Sequence, residues 1–150
     1  MGIECIDDVI IVYLNYIDSD IDELCHKVVN ILNNHYNLNV KGYYRTDVYV
    51  DSNYGIVIEY ILEDRNLYID FSKIDLYIRK IETTFLFKID DILDIDISNF
   101  IIYNGNYYIY SVDISNKNID FGKLVYKNTE QIINNGINMC KYYNKMVEKS

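Results

Sequence analysis

The groups able to do chemistry are few in type and uneven in placement. Only two histidines occur, His26 and His35, both in a stretch with helical periodicity, and their spacing misses the i, i+4 placement that lets two imidazoles share a metal. Cys25 and His26 are adjacent, but neighbours on a helix diverge by about 100°, so they cannot form a thiolate–imidazolium pair with each other. The apolar stripe of that helix claims Cys25 for the core and leaves His26 on the surface. Cys5, Cys25 and Cys140 make an odd set whose separations fit neither a disulfide framework nor a zinc site. The six glycines contain no Gly-x-Gly pair, which removes the phosphate-cradling loops of P-loop and dinucleotide-binding proteins.

Carboxylates are the abundant reactive group. Asp90, Asp91, Asp94 and Asp96 could in principle ligate a hard cation. A calcium loop beginning at Asp91 would need Gly at its sixth position and Glu at its twelfth, where the chain has Asp96 and Ile102. No metal or cofactor is expected, and no nucleophile, base and oxyanion donor can be assembled, so the chain reads as a non-enzyme. An enzyme using Cys25 or a carboxylate-bound metal ranks last of three readings.

The carboxylates have a layout. Formal net charge is −9, and the first 26 residues hold Glu4, Asp7, Asp8, Asp18, Asp20, Asp22 and Glu23 with no Lys or Arg. Such a balance repels phosphate backbones and anionic headgroups, so neither direct nucleic-acid binding nor membrane binding is expected, and a basic protein partner is favoured. The sequence opens Met1-Gly2-Ile3-Glu4, without the basic start or cleavage site of a signal peptide, and its longest apolar run, residues 9–14, is a strand length. With unpaired cysteines, the expected compartment is the cytoplasm.

The elements that must position these groups follow from periodicity. Residues 9–17 form a β-branched, aromatic run apolar on both faces, as in a central strand covered on both sides. Ser19 with Asp22, and Asp20 with Glu23, have capping-box spacing. Ile21, Leu24, Cys25, Val28, Ile31, Leu32 and His35 then mark one stripe of a helix ending near residue 36. Residues 44–50 and 56–62 alternate around turn residues 51–55 and predict a hairpin, followed by strands at 67–71, 74–81 and 83–89. Residues 90–97 read as an acidic connector. Asn104-Gly105 predicts a type I′ turn between strands at 100–103 and 107–114. A final helix is expected from Asn128 or Thr129 to about Val147, with Lys141, Lys145 and Lys149 in its last turns.

The order β-α-β-β-β-β-β-β-α predicts a single α+β domain over residues 1–150, a mainly antiparallel sheet carrying two amphipathic helices. Composition is consistent with a folded chain, at 50% hydrophobic and 25% charged residues. The 26 Ile, 18 Asn and 17 Tyr, with no Pro, Trp or Ala, report A/T-rich codons of a viral, plasmid or low-GC bacterial genome. Adjacent tyrosines on strands, Tyr43-Tyr44 and Tyr107-Tyr108, must turn one ring of each pair outward, where Tyr anchors protein interfaces.

The leading functional expectation is a small acidic interaction module that binds and blocks a basic effector protein, itself a nucleic-acid binder, in the manner of an inhibitor, immunity or anti-defence protein. Its expected contact residues are Asp18, Asp20, Asp22 and Glu23 at the first helix and Asp90, Asp91, Asp94 and Asp96 in the connector. The alternative is a structural or adaptor protein acting through strand pairing or homodimerisation, its acidic surface serving only solubility; without Pro, an edge strand has only charge to block pairing.

Overall fold

The computed structural model describes residues 1–63, 73–90, 100–116 and 122–139. The expected strand at 67–71, the connector from Asp91 onward and the lysine-bearing end of the last helix lie outside these residues. The fold is α+β, with mostly antiparallel sheets and two helices. The chain clusters into two compact units, Met1–Glu82 and Thr83–Ser150.

The first unit is a five-stranded sheet of order β1-β2-β4-β3-β5, built from β1 (Gly2–Ile6), β2 (Val9–Asn15), β3 (Gly42–Asp51), β4 (Gly55–Leu62) and β5 (Ile74–Glu82). All neighbours are antiparallel except β3 and β5. Strand β1 was not anticipated: its alternation is short and partly polar, and it forms because Asp7 adopts φ 51° in the tight turn that folds it onto β2. The β3–β4 hairpin forms as expected with a shorter loop, because Asp51 pairs with Gly55 and its carboxylate accepts from the Asn53 N–H at 3.0 Å.

Helix α1 (Ile21–His35) follows β2. Of the two caps the spacing offered, the Asp20 carboxylate is used, accepting from the Glu23 N–H at 3.0 Å. Leu24, Cys25, Val28, Val29 and Leu32 are buried against Val12, Tyr44, Val48, Ile56, Ile58 and Tyr60 of the sheet. Each aliphatic side chain so buried contributes about 1.5–3 kcal/mol. His35, placed on the apolar stripe by periodicity, is exposed, because the helix ends there and Tyr36 is its C-cap. The Tyr60 hydroxyl donates to the Cys25 carbonyl at 2.8 Å and ties the helix to the middle of β4. Strand β2 is interior and buried on both faces at Ile11 and Val12.

The second unit holds a sheet of order β10-β7-β8-β6-β9, comprising β6 (Leu86–Ile89), β7 (Ile101–Tyr103), β8 (Asn106–Tyr110), β9 (Gly122–Val125) and β10 (Ile137–Asn138), all antiparallel. Asn104 and Gly105 both take positive φ, 49° and 77°, between the paired Tyr103 and Asn106, as a type I′ turn requires. Beyond Tyr110 the expected strand gives way to a 3-10 turn, Ser111–Asn116. Helix α2 (Thr129–Asn135) is much shorter than its periodicity suggested. Gly136 leaves helical geometry with ψ 162° while its N–H still bonds to the Ile132 carbonyl, and the chain turns into β10 against β7. Ile132 of α2 is buried in a cluster with Leu86, Ile101 and Tyr108.

Candidate functional site

The junction between β2 and α1 carries a surface groove of ≈ 230 Å³. Its floor is apolar, formed by Met1, Leu14, Ile17, Leu24, Val28 and Ile31, and its polar lining is Ser19, Glu23 and Lys27. Local sequence explains the form. Strand β2 ends at Asn15, so Tyr16 and Ile17 continue past the sheet edge, and both rings and branches remain exposed, at 39% and 46%. Residues 18–20 then turn the chain into α1, whose first turns present Leu24, Val28 and Ile31 toward the same space.

The four acidic residues expected at this helix take different tasks. Asp20 spends its carboxylate on the cap. Glu23 lines the groove, and Asp18 lies in the chain between the lining residues Ile17 and Ser19. Asp22 is exposed, and its carbonyl accepts from His26 Nδ1 at 2.7 Å, so that nitrogen carries the ring proton. Of the connector residues, Asp90 is exposed, and Asp91, Asp94 and Asp96 fall outside the described residues. Among the described residues no group of three or more His, Cys, Asp and Glu side chains could hold a metal ion. No helix among them is long and apolar enough to cross a membrane.

A second charged feature escaped the sequence reading. On the sheet face away from α1, register sets Glu4, Ile11, Glu59, Asp47 and Arg79 side by side across all five strands. Asp47 and Glu59 are buried, each only 3% exposed. The Asp47 carboxylate lies between two guanidinium groups, 2.8 Å from Arg79 Nε and 3.7 Å from Arg45 Nε, and Arg45 Nη1 reaches Glu63 at 3.9 Å. That contact raises the Arg79 pKa through its hydrogen bond and charge pairing with Asp47. Burial, then the Glu59 and Asp47 charges, push the Tyr49 hydroxyl up, and burial together with Glu4 pushes Tyr13 to about 12. The Tyr13 hydroxyl donates to Glu4 at 3.2 Å. One signal was available: Arg45-x-Asp47 in an alternating strand puts opposite charges on one face. Two arginines answer the buried Asp47 and Arg45 also reaches Glu63, so this face is a cross-strand network that fixes side chains in place, although its acids Glu4, Asp47, Glu59 and Glu63 still outnumber Arg45 and Arg79.

Cys25 is wholly buried, and burial pushes its thiol to about 12, with the Asp22 charge adding to the effect. Such a thiol carries almost no thiolate near neutral pH, which removes the physical basis for nucleophilic use of Cys25. Of the adjacent tyrosines expected to turn one ring outward, Tyr44 and Tyr108 are buried and Tyr43 and Tyr107 only half-buried, because Tyr107 packs on a second buried cluster of Ile89, Phe100 and Ile109, its ring 6.2 Å from that of Phe100. No family model, curated protein or solved structure matches this chain.

Proposed function

We propose that the protein is an interaction module whose groove at the β2–α1 junction takes a basic segment of a partner protein, blocking an effector that itself binds nucleic acid. One observation carries this reading: exposed apolar side chains, Met1 at 49% and Ile17 at 46%, share a groove with Glu23, while Asp18 and Asp22 flank it along the chain. The apolar floor suits an aliphatic or aromatic side chain, and the acidic rim of Glu23 with the flanking Asp18 and Asp22 outweighs Lys27 of the lining, which favours Lys or Arg on either side of that side chain. The floor supplies affinity through desolvation, and the rim supplies orientation and fast, salt-sensitive association. A phosphate backbone would meet repulsion at the same rim. Cys5 and Cys25 are free thiols, which suits a reducing compartment such as the cytoplasm.

The test uses a labelled peptide probe with a central leucine between lysines, and its counterpart with glutamates in place of the lysines. The lysine peptide should bind and the glutamate peptide should not. Reversing Asp18, Asp22 and Glu23 to Lys should weaken the lysine peptide about tenfold or more, since three rim pairs at about 0.5 kcal/mol each sum to one decade of affinity. Ile17→Ser should weaken it without changing the salt dependence. Equal binding of both peptides, or no effect of the reversals, refutes the proposal.

A further inference from the structure

We propose that β5 is a self-recognition edge, and that two copies of this chain pair through it as antiparallel strands about a two-fold axis at Tyr77. Strand β5 is the outermost strand of its sheet, nine residues long, bonded to β3 throughout. Among the described residues its other edge pairs with nothing, and no proline or bulge interrupts it.

Main-chain direction sets the geometry. The Gly42 N–H donates to the Lys73 carbonyl at 2.8 Å at the start of the β3–β5 ladder. Strand groups alternate in direction, so Asp75, Tyr77 and Arg79 turn their N–H and C=O groups toward β3, while Ile74, Leu76, Ile78 and Lys80 turn theirs outward. The outward groups are the ones a partner strand can use.

Side chains then choose the register. A two-fold axis normal to the sheet pairs residues of like face, so only registers centred on a residue are allowed. Centred on Tyr77, Asp75 opposes Arg79 of the second copy and Arg79 opposes its Asp75, with the two Tyr77 rings between them. On the helix-side face Leu76 meets Ile78, extending the half-buried row of Ile74, Leu76 and Ile78 that packs on the core. Centring on Leu76 would oppose Lys73 to Arg79, centring on Arg79 would oppose that residue to itself, and centring on Ile78 forms no ion pair. Centring on Ile81 opposes Lys80 to Glu82 and centring on Ile74 opposes Lys73 to Asp75, but each overlaps no more than three residues of β5; among registers that overlap five or more, the Tyr77 register alone is charge-complementary. It also makes Leu76–Ile78 and Ile74–Lys80 the hydrogen-bonded pairs, matching the outward groups, and leaves Tyr77 and the Asp75–Arg79 pairs at the closer non-hydrogen-bonded positions.

Surface exposure agrees with use as an interface. Tyr77 is 55% exposed, Asp75 is exposed, and the Arg79 side chain, held through Nε by Asp47, is 49% exposed. Arg79 is thus pre-positioned by its own chain with nitrogens left for the second copy. The other edge strand, β1, lacks this property: its five residues centred on Glu4 would set Glu4 against itself. Because β2 lies next to β1 at the far side of the sheet from β5, pairing leaves both grooves open and makes the assembly bivalent for its partner.

Sedimentation from low to high micromolar concentration tests the assembly, and site-directed crosslinking tests the register. The wild-type chain should show a concentration-dependent dimer. Asp75→Lys should be monomeric with unchanged circular dichroism; Arg79→Glu, which also takes the partner from the buried Asp47, should be monomeric and less stable to urea, and an equimolar mixture of the two folded chains should regain the dimer. In a background with Cys5 and Cys140 changed to serine, Tyr77→Cys should form a disulfide-linked dimer under mild oxidation. Asp75→Cys, also exposed, should not, because its opposite number is Arg79. A wild-type chain that stays monomeric throughout, a dimer indifferent to Asp75→Lys, or equal crosslinking at 75 and 77 overturns the proposal.

Discussion

Raising the pH should destabilise this protein through Cys25, and a thiol-free variant should lose less stability. Cys25 lies wholly inside the interface of α1 with the sheet, and burial moves its pKa from an ordinary 9.0 to about 12. The folded state therefore favours the neutral thiol, and the unfolded chain releases the proton first. Stability from this group is fully present below pH 9 and is lost as pH rises toward 12. At about pH 10.5 an unfolded thiol is almost entirely ionised and the folded one almost entirely protonated, a ratio of roughly 30, which is about 2 kcal/mol. The figure is insensitive to the folded value, because that pH lies beneath it. Tyr60, whose pKa burial also raises, loses stability in the same direction above pH 10, but it is common to both proteins and cancels in their difference.

The measurement compares the wild-type chain with Cys25→Val by urea unfolding under reducing conditions, at about pH 7.5 and about pH 10.5. Valine keeps the site apolar and similar in volume, so the two should differ little at the lower pH. At the higher pH the variant should be the more stable of the two by about 2 kcal/mol more than at the lower. A difference that stays constant between the two conditions refutes the placement of Cys25 in the core.

Two further substitutions test the local geometry around the groove. Asp20→Ala should cost about 1 kcal/mol by removing the carboxylate that caps the Glu23 N–H, read as a lower urea midpoint at unchanged slope. Gly55→Ala should cost about 1–3 kcal/mol, because a β-carbon there would meet the Leu14 carbonyl oxygen at 2.6 Å, a backbone atom of β2 that cannot swing aside; wild-type stability would show that the β2–β4 spacing is wrong.

Features encoded within a few residues were legible in the sequence. The capping carboxylate, the buried stripe of α1 and the Asn104-Gly105 turn all follow from short-range spacing. What depended on distant partners was not. Gly42, Tyr44 and Thr46 pair in parallel with Ile74, Leu76 and Ile78, and no local pattern announces that pairing. At Gly136 the apolar periodicity is interrupted as the chain turns into β10, a turn that excludes larger residues, since a β-carbon there would stand 2.6 Å from Ile101 and 2.5 Å from the Ile132 carbonyl. Asp47 and Glu59 looked like the polar half of an alternating hairpin until Arg79 arrived from β5 to pair with Asp47.

The acidic N-terminal quarter shows the same difference between distance along the chain and distance in space. Asp7 and Asp8 precede β2 and residues 18–23 follow it, so seven residues of strand, about 23 Å at 3.3 Å per residue, hold them apart. At an ionic strength near 0.15 M the Debye length is about 8 Å, so the two groups do not act on one partner charge. A run that reads as one block of negative charge is two, and only the block after β2 borders an apolar groove. Within it Asp20 is committed to the helix cap, which leaves Asp18, Asp22 and Glu23 as the residues whose removal should alter binding without unfolding the helix that presents them.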